Sequence, residues 1–182
     1  MPKPTDARPI ADSIYFLPIK TRVPLKFGPE ITTEVTLARV RVTAEDRLGN
    51  RAEGWGETPL SVQWVWPSSL PYEERHQALR AFSIRIAEAW ATRLNEPGHP
   101  MEVGHRFLES VLPGILTAFN ESERAGKEPL PLLGALVCAS AFDLALHDAY
   151  GKLHGVPVYE TYGPDYLNQD LSHFLEPADG SA

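Results

Sequence analysis

Cysteine is almost absent from this chain of 182 residues, and basic residues are the minority among its charges. The single cysteine, Cys138, can form neither an internal disulfide nor a cysteine-based zinc site. Its apolar neighbours Leu136, Val137 and Ala139 favour a buried thiol. Lys and Arg number 17 against 24 Asp and Glu, which gives a formal net charge of -7. Because an excess of carboxylates repels phosphate backbones, the charge excludes general nucleic-acid binding.

The chain also lacks a long apolar run. No stretch approaches the roughly 18 apolar residues that cross a bilayer, so we expect no membrane-spanning segment. The opening Met1-Pro2-Lys3-Pro4 leads into no apolar core of signal-peptide length, and the default compartment is the cytoplasm. A barrel of eight strand–helix units takes about 250 residues, so the length excludes a complete barrel and fits one domain with a tail.

Common catalytic motifs are missing as well. The sequence has no G-x-x-x-x-G-K-[ST] phosphate loop, no G-x-G-x-x-G dinucleotide turn, no G-x-S-x-G nucleophile elbow and no H-E-x-x-H zinc helix. The 6 histidines are scattered along the chain, and none completes a ligand set with Cys138. Motifs therefore assign no catalytic residue and no metal ligand.

The first third of the chain has the composition of three strands. Residues 12–20 are rich in strand formers, and Pro18 among them predicts an edge strand or a bulge. Residues 34–43 alternate, with valines on one face and Arg39 and Arg41 on the other. A turn around Gly49 leads into a third strand at residues 51–57. The pattern predicts a three-stranded antiparallel meander.

Helical spacing dominates after an aromatic loop at residues 59–71. Three helical stretches are predicted: one after Pro71 to about residue 94, one over 103–119 that Pro113 divides, and one over 132–153. Residues 170–175 are compatible with one short strand. Since the strands precede the helices instead of alternating with them, the fold class is α+β, a meander followed by a bundle of about three helices.

Two groups of residues allow more than one interpretation. Asp143 and His147, four residues apart, fit a metal or acid–base pair but fit an ordinary helix side-chain pair better. Trp55, Trp64 and Trp66 fit a ligand pocket, an interface or plain core.

Two strings resemble segments of the enolase superfamily, in particular its mandelate racemase and muconate-lactonizing types. GWGET at 54–58 is similar to the family's G-x-G-E segment, and Pro24-Leu25-Lys26 to its P-L-[KR]. ASAFDLALHDAYGKLHGVPVYETYG at 139–163 is similar to the signature A-x-D-x-A-L-x-D-x-x-G-K-x-x-G-x-P-V-Y-x-L-x-G, from which Thr161 and Tyr162 depart. The resemblance covers roughly residues 12–163.

The resemblance implies a two-part enzyme of which this chain is the first part. Residues 12–163 would be the capping domain, residues 1–11 a flexible arm, and residues 164–182 a stub that leads toward a catalytic barrel. In the family the barrel holds Mg²⁺ and the lysine or histidine bases that remove a proton α to a carboxylate. The resemblance therefore places no catalytic residue, no metal ligand and no cofactor in this chain, and expects Mg²⁺ in the full-length enzyme.

What the resemblance transfers to this chain is the capping role. Two loops of the family's first domain close over the barrel mouth, and here they would be residues 21–30 and 58–66. Arg22 or Lys26 would meet a carboxylate of a small substrate, unless they are ordinary solvated charges. Phe27 and Trp64 would form a wall of the pocket, with Ser61 as a polar contact.

A second interpretation of the sequence is a non-catalytic binding protein. The chain could be a standalone protein that binds a partner chain through its barrel-facing surface and its tryptophans. The family often assembles through such domains, so we expect a homo-oligomer when the enzyme is full length. The sequence indicates neither the substrate nor the reaction type.

Overall fold

The computed structural model describes residues 2–27 and 30–175, apart from the side chains of residues 27 and 30. Its strands are β1 (Ala7–Phe27), β2 (Glu30–Asp46) and β3 (Arg51–Pro59), which form one antiparallel sheet in the order β1-β2-β3. This confirms the predicted meander and the α+β class. From Ala38 to Ala44 the even-numbered residues of β2 face the helices and are completely buried. On the opposite face Arg39 pairs with Glu57, and Arg41 with Glu53 at 3.5 Å.

β1 is longer at both ends than the sequence predicts. It begins at Ala7, inside the segment expected to be a loose arm, because the Ala7 and Gly98 backbones exchange hydrogen bonds of 3.0 and 3.1 Å. Asp6 beside it is buried and accepts a hydrogen bond from Arg47 at 3.2 Å. Pro18 lies on this edge strand, where its missing N–H costs no interior ladder bond.

The helices cover the three predicted stretches, and a further short helix, Val62–Val65, lies in the segment that was predicted to be a loop. They are α1 (Val62–Val65), α2 (Tyr72–Arg93), α3 (Pro100–Arg106), α4 (Leu112–Ser122) and α5 (Leu132–His154). The predicted break near Pro113 appears as a π-helical turn, Phe107–Val111, between α3 and α4. Here the Leu112 N–H donates to the Phe107 carbonyl, five residues back instead of four. Gly155, with φ 67°, ends α5 in the left-handed conformation that glycine adopts without strain.

The two strings that carry the resemblance meet in the core. β3 crosses α5 so closely that a Cβ on Gly54 would lie 2.1 Å from the Ala149 nitrogen, and one on Gly56 would lie 2.2 Å from the Ala141 oxygen. Only glycine on the strand and small residues on the helix allow this approach. At the outer edge of β3, the Trp55 N–H donates to the Asp148 carboxylate at 2.8 Å. The G-x-G spacing is thus explained by packing.

Helix α5 is the centre of the core. Most of its apolar residues are buried against the sheet and α2, although Leu132, Leu133 and Leu144 are exposed. Cys138 is fully buried, as predicted. In the part of the chain that is described, α5 is also the one helix long and apolar enough to span a bilayer. Half of that stretch is buried within the protein, so the length and composition of α5 alone are weak evidence for a membrane span.

The chain after α5 folds back onto the domain. Short 3-10 turns cover Val158–Thr161 and Leu171–His173. The strand considered for residues 170–175 is wrong, because the Asp170 carboxylate accepts from the Ser172 N–H at 2.9 Å and stabilises a turn. The Glu102 carboxylate accepts from the Asn168 and Gln169 backbones at 2.6 and 2.9 Å. The predicted stub is therefore fixed on α3 at this point, and residues 176–182 lie outside the described part.

Candidate functional site

A cavity of about 470 Å³ lies between the far end of the β1–β2 hairpin and the segment that follows β3. We call it the hairpin cavity. Its lining residues are Thr21, Leu25, Thr32, Glu34, Val35, Pro59, Ser61, Gln63, Trp64 and Tyr72. Both loops that the resemblance names, residues 21–30 and 58–66, therefore contribute to one cavity.

The hairpin wall of the cavity is shaped by an irregularity in β1. Lys20 pairs with Glu34 and Leu25 pairs with Thr32, so residues 21–24 oppose a single residue of β2. Such a bulge bends a strand and turns its side chains in a new direction. The Thr21 hydroxyl donates to the Thr33 carbonyl at 3.2 Å and holds the bulge against β2. Leu25 thereby lies on the same face of the ribbon as Thr32, toward the cavity.

The opposite wall is the short helix α1. Val62 and Val65 anchor it in the core, whereas Trp64 between them is 50% exposed and borders the cavity. Its neighbour Trp66 is almost fully buried and donates its indole N–H to the Glu128 carboxylate at 2.6 Å.

A buried arginine fixes the chain just after α1. The Arg124 guanidinium lies 5.2 Å from the Trp66 ring centroid, a cation–π contact. The same group donates to the Glu128 carbonyl at 2.9 Å and to the Glu74 carboxylate at 2.8 Å. These contacts hold Trp66 in place, and with it the helix that presents Trp64.

The base of the cavity is formed where α2 begins. The Tyr72 ring stacks on His76 with centroids 5.7 Å apart, and His76 Nε2 lies 2.9 Å from the Thr36 hydroxyl. Burial, together with the negative charge of Glu34, raises the pKa of Tyr72, so its phenol stays protonated at neutral pH. Burial lowers the pKa of His76, so this ring is neutral there too. Tyr72 and His76 therefore contribute no charge at neutral pH.

The charge of the cavity is negative. Glu34 is the only charged residue among the lining side chains that the structure describes, and it is exposed. The other polar groups there are the hydroxyls of Thr21, Thr32 and Ser61 and the amide of Gln63.

The residues proposed from the sequence are only partly brought together. Ser61 and Trp64 line the cavity, while Arg22 and Lys26 are exposed and do not line it. Lys26 pairs with Ile31 and so lies on the opposite face of the ribbon from Leu25. The side chain of Phe27 lies outside the described part of the structure. Substrate binding by these five residues remains a prediction.

Sequence reasoning missed Glu34 and Tyr72. The sequence could have indicated Glu34, because this charged residue continues the alternation of the inward-facing, even-numbered residues of β2 beyond the last buried one. A charged residue at such a position indicates that the core has ended and that a cavity or solvent begins. Tyr72 had none, since the first turn of a surface helix is an ordinary place for tyrosine.

The remaining aromatic and titratable groups fall outside the cavity. Trp55 stacks on Tyr15 on the outer face of the sheet, with centroids 6.1 Å apart. His147 Nδ1 donates to the Asp143 carbonyl at 2.9 Å and lies 3.6 Å from its carboxylate, the geometry of a helix side-chain pair. Among the residues that the structure describes, no three or more metal-binding side chains are grouped where they could hold an ion.

Comparison with known proteins gives matches among solved structures alone; no family model and no curated protein matches the chain. It is similar to an enolase from Bradyrhizobium complexed with magnesium and mandelic acid, at 18% identity and TM-score 0.43, over 85% of this chain and 34% of that chain. It is similar to L-talarate dehydratase from Polaromonas sp. JS666 complexed with Mg and L-glucarate, at 14% identity and TM-score 0.47, over 92% and 41%. A third similar structure is L-talarate/galactarate dehydratase from Salmonella typhimurium LT2, at 17% identity and TM-score 0.42, over 87% of this chain and 34% of that chain.

These solved structures are of the enolase superfamily, the family named by the resemblance. This chain spans between 34% and 41% of their length.

Proposed function

We propose that this chain is the amino-terminal capping domain of an Mg²⁺-dependent enolase-superfamily enzyme, and that it is inactive alone. The complete enzyme would be a racemase, dehydratase or cycloisomerase that removes the proton α to the carboxylate of a small substrate. The observation that carries the proposal is the hairpin cavity. Two segments far apart in sequence, which the family resemblance assigns to the barrel mouth, form the two walls of one cavity.

The role of the chain in that enzyme is to bind and enclose the substrate. Ser61 would offer a hydroxyl, and Trp64 would cover the substrate and exclude water, which strengthens the electrostatic interactions in the closed site. Arg22 and Lys26 remain proposed contacts for a carboxylate near the open end of the hairpin.

The chemical step is proposed to lie in a barrel outside this chain. An α-proton of a carboxylate is very weakly acidic, so its removal needs a cation that stabilises the developing enediolate. The described residues offer no grouped set of three metal ligands, so they do not fit Mg²⁺. We therefore assign no step of the reaction to them. We further propose a cytoplasmic location and a homo-oligomeric full-length enzyme.

A second exposed surface favours the alternative of a protein-interaction module. Trp55, Leu144 and Tyr159 are 44%, 50% and 84% exposed and border a concavity of about 610 Å³. Apolar surface of this kind is typical of a contact with another domain or chain. In the main proposal the barrel or a second subunit covers it; in the alternative a separate partner does.

The coding sequence after the codon for Ala182 separates these proposals. The capping-domain proposal expects an open frame of about the length of a barrel. This frame should encode three strand-end carboxylates and a K-x-K pair or a histidine base. A stop codon, with no barrel frame nearby, would contradict the enzyme proposal and favour the interaction module.

A further inference from the structure

We propose that the hairpin cavity binds a cationic group carried on an apolar body, such as an alkylammonium or guanidinium. This inference rests on the proposed function only in taking that ligand to be the far end of the substrate. A substrate held by its carboxylate in the barrel would then be cationic at its other end.

The first support is the charge of the lining. Glu34 lies on the cavity side of β2, and no basic side chain lines the cavity among those described. Glu34 is exposed, so it attracts a cation and repels an anion with the modest strength of a solvated carboxylate, to which the aromatic walls add. Lys20 is the exposed cross-strand partner of Glu34, but it does not line the cavity. A ligand with a second carboxylate would therefore meet this repulsion with no described cation inside the cavity.

The second support is the aromatic surface. Trp64 and Tyr72 line the cavity on the side opposite the hairpin and are 50% and 37% exposed, so their rings are accessible to a ligand. Aromatic faces carry negative electrostatic potential and attract ammonium and guanidinium groups. Because the pKa of Tyr72 is raised, its ring remains a neutral phenol at neutral pH.

The third support is the balance between apolar and polar groups. Leu25, Val35 and Pro59 supply apolar contacts for the body of the ligand. Thr32, Ser61 and Gln63 also line the cavity, and their hydroxyl and amide oxygens can accept hydrogen bonds from N–H donors. Small-molecule sites are built in this way, as mainly apolar walls with a few polar groups that fix orientation.

The test compares three probes of similar length on the 182-residue chain by NMR at pH 7 and low salt. They are 4-phenylbutylamine, 4-phenylbutanol and 4-phenylbutyrate, which share a phenyl ring on a short alkyl chain and differ in the charge of the terminal group. We expect the amine to bind about tenfold more tightly than the carboxylate, with the alcohol between them. Shifts should concentrate on the Trp64 indole N–H and the amides of Ser61 and Gln63. Equal binding of the three probes, or shifts confined to other regions, would overturn the proposal.

Three variants and a control locate the effect. Glu34→Gln should reduce the preference for the amine over the alcohol, and Trp64→Ala should weaken both probes, the amine more than the alcohol because it also loses the cation–π attraction. Trp64→Phe keeps an aromatic ring and should restore most of the affinity, and the amide spectrum of Trp64→Ala should show the same dispersion as that of the parent, so that lost binding is not lost fold. Glu121→Gln, the same change of charge at an exposed position of α4, should leave the preference intact. Loss of preference in this control would mean that the net charge, not the cavity, selects the probe.

The outcome is independent of the enzyme proposal. Binding is measured without metal and without a barrel, whereas the enzyme proposal is tested by α-proton exchange in the longer protein. Cation preference without exchange would leave the cavity assignment standing and refute the enzyme. Exchange without cation preference would support the enzyme proposal and refute the assignment of the cavity to a cationic group.

Discussion

Replacing Gly54 with alanine tests the packing that brings β3 and α5 together. The added Cβ would lie 2.1 Å from the Ala149 nitrogen and 2.2 Å from the Ala145 oxygen, where ordinary contacts begin at 3.4 Å. Both obstacles are helix backbone, which cannot rotate away as a side chain can. Helix α5 would have to retreat by roughly 1 Å, in a core packed to crystal-like density.

The expected cost of this change is large. Overpacked cores lose about 1–3 kcal/mol, and the backbone clash places Gly54→Ala at the upper end, about 3 kcal/mol. That is a substantial part of the 5–15 kcal/mol or so that stabilises a typical domain. Urea unfolding followed by circular dichroism should show a lower midpoint with an unchanged slope.

Gly114→Ala is the matched control. A Cβ at Gly114 would meet nothing within 4 Å, and the residue lies in helix α4. Its free energy of unfolding should be unchanged or raised by up to about 1 kcal/mol, since alanine favours helix. If the two variants unfold at the same urea concentration, the close approach of β3 and α5 is refuted.

The other predictions concern titration, the edge of β3 and the Trp66 contacts. Burial lowers the pKa of His99 from 6.5 to about 4, so its stabilising effect is complete above pH 6.5 and is lost as the pH falls toward 4. Burial raises the pKa of Asp12 from 3.8 to about 6, so its contribution is lost as the pH rises through 6. The two slopes oppose each other between pH 4 and 6; Asp12→Asn should therefore make the melting temperature fall more steeply with acid, and an unchanged slope would contradict this. Asp148→Ala removes the acceptor of the Trp55 N–H and should cost about 1 kcal/mol in urea unfolding, whereas no change would mean that this bond is not formed in solution. Arg124→Met should cost about 2 kcal/mol and shift the fluorescence of the tryptophan it covers, and a variant as stable as the parent would argue against that contact.

The regular parts of the fold could be predicted from the sequence because their pattern repeats. Alternation in β2 showed which face is buried, and Gly155 marked the end of α5. The full length of β1 could not be predicted, because two irregularities interrupt the strand pattern in its sequence. Pro18 interrupts its strand composition, and the bulge after Lys20 shifts its pairing with β2. The pairing with β2 accommodates both the proline and the bulge, and the local sequence of β1 does not show that pairing.

The candidate site was harder to predict because its residues are far apart in sequence, and tertiary contacts decide which of them border the cavity and which are buried in the core. Trp64 and Trp66 are two residues apart, yet one borders the cavity and the other is core, a difference set by Arg124 and Glu128 from distant segments. The resemblance indicated the two loops that form the cavity. It did not indicate Glu34, which gives the cavity its charge.

The central claim is that this chain caps a catalytic barrel, and the most direct measurement is α-proton exchange. The longer protein proposed to contain this chain should incorporate deuterium from D₂O at the carbon next to the carboxylate of at least one member of a panel of carboxylates. The panel includes 2-hydroxy acids, acid sugars and carboxylates that carry an ammonium group at the far end. The exchange should require Mg²⁺ and stop with EDTA, and the 182-residue chain alone should show none. Mg²⁺-dependent exchange by this chain alone, or no exchange by the longer protein across the panel, would contradict the account.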